Sequence, residues 1–172
     1  VPEEQIVILP NKSTMWAVAR TVADETEKTV VVVPTTSVPE GFASLLGYDP
    51  QAIAAENAEM MLEIASGVDV GEVTQAVRST STPVGEVAEG DWIGLERDGV
   101  CAIGAKLVEV DTHLLDEIIG EDSEILSLIG GEGASDADTR AITEWVTENR
   151  PTVETEIHTG GQSHYPFFFG VE

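Results

Sequence analysis

Thr29-Val30-Val31-Val32-Val33-Pro34 is the stretch from which the architecture follows. Five successive β-branched residues, apolar towards both sides, describe a strand of a parallel sheet covered on both faces, and Pro34 ends it. Upstream, residues 5–9 make a second apolar run, closed by Pro10-Asn11. Between the two, Ser13 stands where a helix cap belongs. Met15, Val18, Ala19 and Val22 then recur at i, i+3, i+4 and i+7, leaving Arg20, Asp24 and Glu25 outward. The three segments read as a βαβ unit.

Downstream, Ser37-Val38-Pro39-Glu40 opens a short helix to Leu46, with Pro39 in its first turn. Residues 51–65 form another helix, buried through Ile53, Met60, Met61 and Ile64 and closed by Gly67; the two methionines read as core filler. The texture changes after Gly71. Residues 72–77 alternate with period two, and Gly90-Asp91 and Asp98-Gly99 are turn signals around residues 92–95 and 100–103, which gives an antiparallel meander. The last third returns to α/β. A Leu114, Leu115, Ile118, Ile119 stripe marks a helix over 110–119, and 124–129 is a strand. Ser135 and Asp138 form a capping box for a helix to Asn149, with Ile142, Trp145 and Val146 inward; 152–157 and 165–171 are strands. The fold class expected is therefore α/β: two lobes with βαβ units, about 1–70 and 107–172, joined within one domain by a β meander at about 71–106.

Length and composition set the bounds. The 172 residues carry 8 basic against 32 acidic side chains, a net charge of −24, with 42% hydrophobic and 23% charged residues. Such a chain folds with a real core and makes a poor partner for nucleic acid or an anionic membrane surface. Residues 109–156 hold fourteen carboxylates against only Arg140 and Arg150. They read as a solvated face, a docking surface for a basic partner, or an adaptation to high salt. Val1-Pro2-Glu3-Glu4 lacks a basic start, and no run approaches 18 apolar residues, so no signal peptide or membrane span is expected. The missing Met suggests a chain trimmed from a longer one. Cys101 is the one cysteine, so neither an internal disulfide nor a zinc cluster is expected, and the setting reads as cytoplasmic.

Chemistry is concentrated at strand ends. Gly130-Gly131-Glu132-Gly133 joins a strand to a helix but has neither the Lys-Ser/Thr of a P-loop nor the G-x-G-x-x-G spacing, and its acids repel phosphate. His158-Thr159-Gly160-Gly161-Gln162 lies where open α/β sheets place ligand sites. It reads either as a polar turn or as a site where His158 meets a carboxylate or phosphoryl oxygen. Thr35-Thr36-Ser37 and Asn11-Lys12-Ser13-Thr14 occupy equivalent places after the first two strands, as caps or as ligand-contacting loops. All three loops are expected to converge at one sheet edge. Arg78 reads as an ion pair or an anion receptor. Cys101 lies in an apolar strand as inert core, and no G-x-S-x-G elbow, metal set or other catalytic apparatus is expected.

Five segments occur in a telling order: Ile8-Leu9-Pro10-Asn11-Lys12, Val33-Pro34-Thr35-Thr36-Ser37-Val38-Pro39-Glu40-Gly41, Gly71-Glu72-Val73-Thr74-Gln75-Ala76-Val77-Arg78, Gly90-Asp91-Trp92-Ile93-Gly94-Leu95, and Glu156-Ile157-His158-Thr159-Gly160-Gly161-Gln162 with the ending Val171-Glu172. Together they resemble the C-terminal domain of the FakA family of fatty acid kinases, in the dihydroxyacetone-kinase-like group. The resemblance implies a DegV-like α/β fold. It also implies a parent kinase whose N-terminal domain binds ATP and magnesium, followed by a middle domain. The substrate implied is a fatty acid held by a separate DegV-like carrier. This domain would need no cofactor of its own and would engage that carrier. His158-Thr159-Gly160-Gly161 is similar to the His-Thr-Gly-Pro-Gly stretch of the carriers, with Gly161 in place of the proline and Gln162 in place of the last glycine. A small-ligand domain for a fatty acid, phosphate or dihydroxyacetone-like molecule is the alternative.

Overall fold

The computed structural model describes residues 3–172; Val1 and Pro2, which bear on the reading of the chain's start, lie outside them. The chain divides into two compact units, Val1–Val68 and Asp69–Glu172.

In the first unit, β1 (Gln5–Ile8) and β2 (Thr29–Val32) pair in parallel, Gln5 opposite Thr29 through Ile8 opposite Val32, with α1 (Trp16–Glu25) between them. The βαβ expectation holds, but its burial does not. The sheet has two strands only, so Val30, Val31 and Val32 stay half-buried, and Val33, just past the strand, is the residue that is sealed. The apolar stripe of α1 is likewise not covered. Met15, Val18 and Val22 are 45%, 53% and 51% exposed, while Trp16, Ala19 and Ala23 are half-buried. Two strands are too narrow to take up a full helix face. Ser13 does not cap α1: a 3₁₀ turn, Ser13–Met15, intervenes, and no side chain caps either start.

Ser37 does cap α2 (Val38–Ser44), its hydroxyl accepting from the Glu40 amide. α3 (Ala54–Ser66) begins later than its periodicity suggested. Met61 is sealed, but Met60 and Ile53 are about half exposed, so only one of the two methionines is core filler. The apolar cluster of this unit is small: Val33, Ala58 and Met61, with Val7, Leu9 and Val31 packed against it.

The second unit contains β3 (Asp69–Gln75), β4 (Thr80–Thr82), β5 (Gly85–Val87), β6 (Trp92–Glu96), β7 (Gly99–Gly104), α4 (Leu107–Ile118), β8 (Ile125–Gly130), α5 (Asp136–Asn149), β9 (Glu154–Thr159) and β10 (Phe167–Val171). Its sheet has the order β7-β6-β3-β10-β8-β9, with β4 and β5 a separate hairpin. Residues 71–106 therefore do not stand apart as a bridge: β10 pairs antiparallel with both β3 and β8, tying the meander to the last third in one sheet. β8 and β9 are parallel around α5, a second βαβ unit. β3, β8 and β9 run the same way, so their carboxyl ends share one edge with the starts of β6 and β10. α4 packs on β3, β6, β7 and α5. Between helices and sheet, Val73, Leu114, Leu115, Leu126, Leu128, Ile142, Phe167 and Phe169 are almost wholly excluded from water. Among the described residues no helix is long and apolar enough to cross a membrane.

Candidate functional site

The first two strand-end loops do meet. Asn11, held at φ 53°, a left-handed conformation that Asn tolerates better than most residues, donates its amide to Thr35 Oγ1 at 3.0 Å. The Thr35 hydroxyl donates back to Asn11 Oδ1 at 2.8 Å. The Trp16 indole N–H donates to the Thr35 carbonyl at 2.9 Å. Thr36 donates its amide to Glu40 Oε2 and its hydroxyl to Oε1, each at 2.6 Å. Thr35, Ser37 and Glu40 are all buried. These hydroxyls are consumed in fixing the turn after β2 onto the start of α2. Glu40 is the residue that sequence reasoning passed over, although Ser37-Val38-Pro39-Glu40 carries the S-x-x-E capping spacing that announces it.

The third loop belongs to the other unit and the other sheet, so the three do not share one sheet edge. His158 is the penultimate residue of β9, half-buried, its Nε2 3.5 Å from Glu156 Oε2. Thr159 ends the strand and is exposed. Gly160 and Gly161 both donate amides to the Gly130 carbonyl, at 2.8 and 3.3 Å. Gln162 donates its side-chain amide to the Ile129 carbonyl at 2.9 Å, and its carbonyl accepts from the Glu132 amide at 2.9 Å. A Cβ on Gly131 would collide with the Tyr165 and Gln162 carbonyls, and one on Gly160 with Gln162 Oε1. Both glycines are thus required by close loop-to-loop packing. The two glycine-bearing loops brace one another at the carboxyl edge of the sheet.

Two cavities flank these loops in their own units. In unit 1, about 320 Å³ is lined mainly by Ile6, Val7, Leu9, Leu45, Tyr48 and Met61. In unit 2, about 320 Å³ opens among Thr74, Gln75, Trp92, Gly133, Ser163 and His164. His158 lines neither cavity. Arg78 is exposed and makes no ion pair among the described residues, so the ion-pair reading fails for it. The hydroxyls after it are spent on the β4–β5 hairpin, Ser81 donating to Glu86 and Thr82 to the Gly85 carbonyl. The Cys101 thiol is pushed up to about 11 by burial first, then by Glu96 and Glu117, which leaves it a poor nucleophile. Among the described residues no cluster of three or more His, Cys, Asp or Glu is placed to hold a metal.

Charge separates the units as well. Residues 1–68 hold ten acids and three bases, and residues 69–172 hold twenty-two acids and five bases. Apart from Asp111, none of the fourteen carboxylates in 109–156 is buried.

Residues 1–172 match the family model described as fatty acid kinase FakA-like, C-terminal. An uncharacterized Staphylococcus aureus protein (strain bovine RF122 / ET3-1) is 36% identical over 169 residues, covering 98% of this chain and 31% of the relative. A second, from strain MRSA252, is 35% identical over the same span. The chain thus spans about a third of the length of these curated relatives. Among solved structures, a Eubacterium eligens DegV family protein loaded with heptadecanoic acid is similar over 99% of this chain and 73% of its own, with TM-score 0.62 and 12% identity. The DegV lipid binding protein of Thermotoga maritima is similar over 99% of this chain and 70% of its own, with TM-score 0.59 and 15% identity.

Proposed function

The chain belongs to the fatty acid kinase FakA-like C-terminal family, and from that premise we propose that it is the non-catalytic docking module of a two-component fatty acid kinase. Its partner in this reading is an acyl-carrying DegV-like protein, brought up to an ATP- and magnesium-binding N-terminal domain and a middle domain of the same polypeptide. The observation that carries the reading is the family match over all 172 residues. The DegV-type fold supports it, since a likeness to fatty-acid-loaded proteins suits a domain that works beside them. The work of such a module is positioning: docking raises the effective concentration of the bound acid at the phosphoryl donor.

The acidic surface of unit 2 gives the docking a physical basis, because opposite charge steers association and sets its salt dependence. Charge reversal of exposed carboxylates within residues 109–156 tests this. The expected outcome is slower association with the carrier and a flatter dependence on ionic strength. Unchanged rates at every salt concentration would remove steering from the account.

The apolar cavity of unit 1 favours a second reading, a domain that takes a small apolar ligand itself. In that case Leu9→Trp or Met61→Trp abolishes uptake of a free fatty acid, and leaves carrier binding intact if docking uses another surface.

A further inference from the structure

Asp111 lies on α4 beside Val110 and in line with Leu114, Leu115 and Ile118, all buried against the sheet or α5. Its exposure is 0%, and neither carboxyl oxygen has a hydrogen-bond partner among the described residues. Neither of the braced loops nor either cavity makes use of it. Buried polar groups almost always find partners, so a carboxyl without one requires a physical account.

The charges around it can be placed element by element. β7 carries no charged side chain, and its Cys101 thiol stays neutral. On β3, Gly71 faces Leu114 and Ile118, so alternation turns Glu72 to the other face. Asp69 of β3 and Glu96 of β6 line a pocket with Glu117 and Ile118, at the far end of α4. On α4 itself, Lys106 and Glu109 pair with each other, His113 approaches Glu117 at 3.9 Å and Asp116 binds Arg150 at 2.6 Å, all at the surface. α5 presents Asp138, a like charge in its first turn, while its Asp136 and Arg140 are exposed. Among the described residues no cation faces Asp111 from any of these elements. An ionised carboxylate in that setting is strongly disfavoured relative to a neutral carboxyl, and burial first, then Asp138, pushes the group up to about 8.

We propose that Asp111 makes the α4–α5 layer a proton-linked latch: the neutral carboxyl lets the helices close over the sheet, and ionisation requires them to part and hydrate it. The latch lies between the second turn of α4 and the first turn of α5, where α5 leaves the braced loop at the carboxyl edge. Opening there loosens the same edge that holds residues 130–133. The sign follows from proton counts. From the ordinary carboxylate range up to about 8, the closed form binds a proton that the open form has lost. Closure therefore weakens as pH rises through that window and weakens no further above it.

Hydrogen exchange of the α4 and α5 amides in the full chain, corrected for intrinsic rates, reads this directly between pH 6 and 9. The expected result is an opening constant that rises by up to about tenfold per pH unit and levels off near the carboxyl's own midpoint, with Asp111→Asn giving a flat profile. Superimposable profiles for the two proteins would overturn the latch. Should Asp111→Asn not fold, the ¹³C carboxyl shift of Asp111 in the unaltered chain decides. Titration near 8 supports the proposal, and titration in the ordinary carboxylate range overturns it.

Discussion

Unit 1 and unit 2 are both α/β, yet they treat their apolar residues in opposite ways. In unit 2, a six-stranded sheet takes α4 and α5, and the apolar positions of those helices are almost entirely sealed. In unit 1, a two-stranded sheet leaves α1 without one buried residue, and an apolar cluster of three buried side chains serves the whole unit. Hydrophobic periodicity thus shows which side of a helix is apolar. Whether that side is covered depends on how many strands lie beneath it.

Substitutions sharpen or break this contrast. Phe169 is fully buried at the centre of the sheet, opposite Gly71 on β3 and Leu128 on β8. Phe169→Ala is expected to cost about 3–5 kcal/mol in chemical denaturation followed through Trp92 and Trp145. A loss as small as that of a surface change would mean that unit 2 is not the tightly packed partner in the comparison. In unit 1, stability at the turn after β2 rests on polar contacts, and Glu40→Ala is expected to cost about 2 kcal/mol because Thr36 loses a charged acceptor for two donors. The Trp16 signal, tied to the Thr35 carbonyl, is the probe. Removing the α5 cap by Ser135→Ala is expected to cost about 1 kcal/mol, read as earlier thermal melting of unit 2. Val18→Ser on the exposed stripe of α1 is expected to change stability by no more than about 0.5 kcal/mol. A loss of several times that would show that the stripe is covered in solution.

Much of the fold was legible because local signals agreed with it. The β-branched run of β2, the capping boxes at Ser37 and Ser135, and the stripe of α4 each name an element within a few residues of where it lies. The sheet order was not legible: β10 pairs with β3 across more than ninety residues, and no local pattern encodes that. The polar loops were found, but their role was half read. The glycines of the His158 segment are explained by a second loop thirty residues earlier, which packs too closely for a side chain. Asp111 was invisible, since an acid between apolar positions of a helix looks like part of its solvated side. Only the packing of α5 places it inside.

The central claim is that this domain binds a protein that carries a fatty acid, rather than the acid itself. Calorimetric titration of the chain with an acyl-loaded DegV-like carrier from the same genome, with free oleate in parallel, tests it most directly. The account predicts saturable binding of the carrier and no heat from oleate. Oleate binding without carrier binding would contradict it and make the domain a ligand receptor.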